Sequence, residues 1–255
     1  MKYYRLMTSL PELPDVPATP PAPLGDLIAD LREELTPAHW ELASALILRL
    51  DIANLEAALQ GRPQLIDARG VLPPEWLPQA KGTNAELAER NTEVDVDLPS
   101  FIEDFLEGYS DGAATSAAYA FDALWRAYYA HVTALGQTRR CRFLLEWAQF
   151  EVPLLNVLAM QRAQDLHLDS AEAQLDEPPA PARHDDLMTR LQEEENPQNR
   201  ERILDTARLA FFDNISGIDP FSVDAVLAYL AAAMVLDRWR LPETEQPESL
   251  LEVFA

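Results

Sequence analysis

Apolar positions recur at three- and four-residue intervals along much of this chain, the period of a helix packed on one side. Over residues 36–60 they are Leu42, Ala45, Leu46, Leu50, Ile52 and Leu55. Thr36-Pro37 supplies a cap and a first turn, and Gly61 and Pro63 close the element. A shorter helix is predicted at Asp26–Glu34. Thr83 with Glu86, and Ser100 with Glu103, have capping-box spacing and predict helices over 83–90 and from 100 onward. Asp111 caps a helix to about Leu135, ended by Gly136. A long helix covers Arg139–Leu166, with Pro153 inside it to bend it or end its first half. Residues 169–205 change character, with 11 acids against 4 bases, and read as a solvated connection leading into a charged helix. Asn196-Pro197 opens a helix to about Phe212, and Asp219-Pro220 the last long one, to about Trp239. One turn is expected in the acidic tail, at "ESLLEVF".

The first residues break the usual rule that chain ends are polar. In "KYYRLMTSL", Tyr3, Leu6, Met7 and Leu10 share a face if helical, and Tyr4, Leu6 and Leu10 do if extended. Either way an apolar face is built in, and it is expected to pack on the helical body. Residues 11–23 hold six prolines and read as a stiff strap carrying the chain away. The expected organisation is this N-terminal segment and strap over 1–24, followed by a helical domain over 25–255.

Composition sharpens the fold class. Glycine is scarce, 8 in 255 residues, while alanine, leucine, glutamate and arginine abound. Alternating β-branched runs are nearly absent, so the class is all-α. Apolar residues make up 48%, enough for a core. The longest apolar run, Ala225–Leu236, has 12 residues, too few to span a bilayer, and reads as a buried helix. Arg5 interrupts the opening apolar run before it reaches signal-peptide length, so no secretory leader is expected. The single cysteine, Cys141, permits no internal disulfide and fits a reducing cytoplasm.

Charge narrows the partners. Twenty Lys and Arg against 43 Asp and Glu give −23, which repels phosphate backbones and anionic headgroups. Neither nucleic acid nor direct lipid insertion is expected; a basic protein surface is the complement. From Asn91 to Trp125 there are eight acids and no base: Glu93, Asp95, Asp97, Glu103, Asp104, Glu107, Asp111 and Asp122. This segment is the candidate docking face.

Reactive chemistry has little footing. The glycines form no phosphate-cradling loop, and no nucleophile elbow is present. None of His39, His131, His167 and His184 falls in a metal-binding helical pattern. His184-Asp185-Asp186 lies in a polar connection and is expected to be solvated; Thr189 stands where a magnesium-chelating triplet would need its third acid. Cys141 follows two arginines, which would depress a thiol, but a lone helical cysteine is ordinarily packing. No catalytic residue, metal or cofactor is assigned.

One spacing recurs. "RLDIANLEAALQGR" carries Asp51, Asn54 and Arg62; "QFEVPLLNVLAMQR" carries Glu151, Asn156 and Arg162. Acid and base stand 11 residues apart in both, about three helical turns, on one stripe of an otherwise apolar helix. Polar groups on an inner stripe must find partners on neighbouring elements. The six are therefore expected to pin helix register, in units repeated about 25–110, 111–168 and 186–255, with an acidic linker over 169–185.

"MKYYRLMTSLPELP" resembles the opening of an uncharacterised bacterial family encoded in V/A-type ATPase operons, which begins Lys-Tyr-Tyr, apolar run, Leu-Pro. "DIANLEAAL", "FLLEWAQFEVPLLNVLAMQR" and "FSVDAVLAYLAAAMVLDRWRL" resemble its first-helix, central and C-terminal motifs. That family is in turn distantly similar to the C (or d) component of V/A-type ATPases. The resemblance implies a funnel or bundle of three related helical units. Residues 221–241 depart from the pattern, with Asp237-Arg238 but no Asn. It also implies a non-catalytic role, coupling the central shaft to the membrane proteolipid ring, in a cytoplasmic protein attached peripherally to the inner membrane through that complex. An assembly chaperone for the complex is the alternative reading, and a helical metalloenzyme using the acid-rich stripes a third.

Overall fold

The computed structural model describes residues 2–62, 65–80, 88–89, 96–110, 120–165, 174–179 and 181–240. They form helices α1 (Tyr4–Ser9), α2 (Leu24–Glu34), α3 (Pro37–Leu59), α4 (Ser100–Ser110), α5 (Ala120–Arg139), α6 (Arg142–Asp165), α7 (Asp185–Glu193), α8 (Pro197–Ser216) and α9 (Val223–Asp237). The fold is all-α. Its sole extended pairing among the described residues joins Gln79–Ala80 to Ala88–Glu89, antiparallel. Ala88 and Glu89 therefore pair as a strand where the sequence predicts helix; the rest of 83–90, with its capping box, lies outside the described residues.

The cap chemistry is local. Thr36 Oγ1 accepts from the His39 amide at 3.3 Å, and Asn196 Oδ1 from the Gln198 amide at 2.9 Å. α9 starts later than Asp219-Pro220 suggests: Ser222 is its N-cap, taking the Ala225 amide at 3.2 Å, while Asp219 closes the preceding turn. Gly136 does not end α5, which runs on to Arg139. Its missing side chain instead makes room for α6, since a Cβ there would meet Leu145 at 3.1 Å and Leu144 at 3.2 Å. The reversal comes at Arg140, whose φ of 53° lies in the left-handed region.

α6 runs through Pro153. Proline cannot donate to the carbonyl four residues back, here Gln149. That carbonyl takes the Ala182 amide instead, at 2.8 Å. Gln149 Nε2 donates to the Pro179 carbonyl at 2.9 Å, and His184 Nε2 lies 2.8 Å from the Phe150 carbonyl. The proline thus creates a docking point for the chain after α6. His184 packs edge-on against Phe150, half-buried, and is not the solvated group the sequence suggests.

α3 and α9 are the core elements. Both are apolar on most faces, as buried helices are. α9 packs against α2, α3, α6 and α8, and its alanines permit close approach. Tyr3 and Leu6 of the N-terminal segment are buried in the same core. The Tyr3 amide donates to the Phe221 carbonyl at 2.8 Å, and its hydroxyl lies 2.5 Å from His39 Nδ1. The strap is held by the Tyr229 hydroxyl donating to the Pro11 carbonyl at 2.8 Å. A satellite cluster joins Leu187, Met188 and Leu191 of α7 to Leu154 and Leu204, so α7 docks by an apolar face. By length and composition α6 could cross a membrane over Arg142–Gln161, but half of that stretch is buried in the fold.

Candidate functional site

Asn54 and Asn156 make the same contact. The Asn54 carboxamide accepts from the Asp67 amide and donates to the Asp67 carbonyl, both at 2.7 Å. The Asn156 carboxamide accepts from the Leu175 amide at 2.7 Å and donates to the Leu175 carbonyl at 2.9 Å. An amide side chain with both functions engaged mimics a peptide in a ladder. Each clamp ties the returning chain to its parent helix, α3 or α6. The connection after α6 is accordingly fastened down at Leu175, while Asp176, Glu177 and Arg183 along it are exposed.

The acids on these stripes differ in use. Asp51, fully buried, accepts from the Val71 amide at 2.8 Å and the Leu72 amide at 3.2 Å. Gly70 is required beside it, because any Cβ there would collide with the carboxylate. Burial pushes the Asp51 carboxyl up to about 6, against the pull of those two amides. Folding then binds a proton between the unfolded carboxyl's range, near ~4, and about 6, so this group's contribution falls as pH rises through that window. Relative to Asp51→Asn, the parent protein should lose on the order of 2–3 kcal/mol between pH 4 and pH 6.5, measured by urea unfolding. A constant difference across that range would refute the assignment.

Glu151 works the opposite way. It is 1% exposed and takes the Arg208 guanidinium at 2.6 and 3.1 Å. Burial alone would raise its carboxyl; Arg208, with help from Arg49 and Arg238, holds it below the usual range. Arg208 also donates to Asp205 at 2.9 Å. Asp205, buried in turn, accepts from Arg238 at 2.8 Å and from the Trp239 indole at 2.9 Å. This chain of charges locks α6, α8 and the end of α9 together. The sequence hints at it through Asp205 and Arg208, one turn apart among the apolar positions of α8.

The two arginines of the predicted stripes fare differently. Arg62 does not pin register: α3 ends at Leu59, Gly61 turns with φ of 68°, and Arg62 is exposed beyond the turn. The side chain of Arg162 lies outside the described residues. Of the acidic face, Asp97, Glu103, Asp104 and Glu107 are exposed at and along α4, whose other side buries Ile102 and Tyr109. Glu93, Asp95 and Asp111 lie outside the described residues.

A cavity of about 430 Å³ opens where α2, α3, α5, α6, α8 and α9 converge. Arg49, Arg69, Arg208 and Arg238 line it alongside Trp125 and Trp147. Arg69 is fixed by Asp67 at 2.6 Å and Asp237 at 2.5 Å. No group of three or more His, Cys, Asp or Glu side chains is placed to hold a metal ion among the described residues. Cys141 is buried, and burial pushes its thiol up to about 12, away from the thiolate a nucleophile needs.

The model of a family described as "Protein of unknown function (DUF2764)" matches residues 1–180, a span that includes both asparagine clamps and stops before Arg208. No curated protein and no solved structure matches the chain.

Proposed function

The chain belongs to the DUF2764 family of unknown function, and we propose that it is a non-catalytic subunit of a rotary V/A-type ATPase, coupling the central shaft to the membrane proteolipid ring. Its motif resemblance to the family encoded in V/A-type ATPase operons, and through it to the C (or d) component, is the starting point. The observation that carries the reading is how the interior polar groups are spent. Asn54, Asn156, Asp51, Glu151, Asp205 and Arg208 are engaged in joining elements to one another. Such interlocking suits a part that passes force between neighbours without deforming.

The acids exposed at α4 would meet Lys- and Arg-rich cytoplasmic loops of the membrane sector. Attachment is peripheral, through protein contacts. Purification of a tagged chain from detergent-solubilised membranes of its own host provides the test. Shaft and ring subunits should copurify in fixed stoichiometry, and Asp97→Asn with Glu103→Gln, Asp104→Asn and Glu107→Gln should weaken that association. Substoichiometric recovery confined to assembling complexes would favour the chaperone reading. Recovery without any rotary subunit would sink both.

A further inference from the structure

Arg49 is the one cavity-lining arginine with no acid of its own among the described residues. Arg69 is held by Asp67 and Asp237, Arg208 by Glu151 and Asp205, and Arg238 by Asp205 and Glu201. Glu151 feels the charge of Arg49, but both of its oxygens already accept from Arg208. A half-buried guanidinium gains most from an anion that can meet it in two places.

A second observation lies behind the wall, at Tyr129, whose ring packs against that of Trp147 with centroids 5.7 Å apart. The Tyr129 hydroxyl, on a residue 3% exposed, is the buried side-chain polar atom without a protein partner among the described residues. Tyr129 itself does not line the cavity, but it feels the charges of Arg49, Glu151 and Arg208, which do. The remaining wall is largely apolar, with Leu46, Leu50, Trp125 and Trp147. Trp125 is oriented by its indole N–H donating to Glu56 at 3.1 Å. The volume, about 430 Å³, is that of a small-molecule site.

We infer that this cavity binds a small organic monoanion, its carboxylate held by Arg49 and its apolar body lying against Trp125 and Trp147. Arg49 is the wall arginine without a direct ion pair among the described residues, and Asp67, Glu151 and Asp237 line the same cavity, so a nucleoside di- or triphosphate would bring charges with no partner into a protein of net charge −23. The apolar walls reward a hydrocarbon or aromatic body and give nothing to a sugar.

Octanoate is the probe and octan-1-ol its uncharged counterpart, titrated into the full chain by calorimetry and by tryptophan fluorescence. Octanoate should bind saturably at one site and shift the emission. Octan-1-ol should bind about tenfold more weakly or worse, and Arg49→Met should weaken octanoate by the same order, with Arg49→Lys retaining much of the affinity. Ala53, exposed at the cavity rim on α3, provides a variant remote from the core. Ala53→Phe should abolish binding while the far-UV circular dichroism stays unchanged. Absence of octanoate binding at millimolar concentration overturns the inference, as does equal binding by octan-1-ol or by Ala53→Phe. Should Arg49→Met fail to fold, the Ala53→Phe result decides.

Discussion

Glu151→Leu should destabilise the protein by about 3–5 kcal/mol, read as a fall in the urea midpoint at unchanged slope. The substitution leaves the Arg208 guanidinium, 5% exposed, with only Asp205 to answer it. Removing one member of a buried pair costs far more than the pair itself contributes, because the stranded charge has lost water as well as its partner. The double variant Glu151→Leu with Arg208→Met should therefore recover at least half of the loss. Asp205 tolerates that change, since Arg238 and the Trp239 indole still donate to it. A loss under about 1 kcal/mol for the single variant would mean that the charges do not lock α6 to α8.

Deleting residues 2–10 should lower the melting temperature by about 10 °C or more. Tyr3 and Leu6 leave the core together, and burying two such side chains is worth roughly 3–6 kcal/mol. For a domain of this size each kcal/mol moves the midpoint by about 2–4 °C. The Tyr3 contacts to Phe221 and His39 go with them, as do the ion pairs from Lys2 to Asp219 and from Arg5 to Glu34. An unchanged melting curve would mark the segment as a tail held for some other molecule.

What the sequence disclosed follows from how local each cause is. Thr36 and Asn196 cap within their own first turn, so those helix starts are legible one residue at a time. The asparagines of α3 and α6 are legible as polar groups on apolar stripes. Their partners, Asp67 and Leu175, are not, because no periodicity specifies where a returning chain will touch. Gly136 reads as a breaker in isolation; only Leu144 and Leu145, brought across by the α5–α6 turn, reveal that its lack of a Cβ serves packing. Arg62 fails for the converse reason, since an 11-residue spacing implies a shared stripe only while the helix lasts. Ala88 and Glu89 pair with a strand partner that capping rules do not see. The Arg208 network draws on three helices, so the sequence shows its charges, Glu151, Asp205 and Arg208, but not that they meet.

The seat of the first helix has a consequence for how the chain is made. Tyr3 bonds to Phe221, and Tyr229 holds Pro11 across a separation of 218 residues. During synthesis the opening residues leave the ribosome long before the surface that receives them exists. Their greasy face must wait, shielded or transiently misplaced, until α9 has emerged, so the opening segment can seat only after α9 has been made.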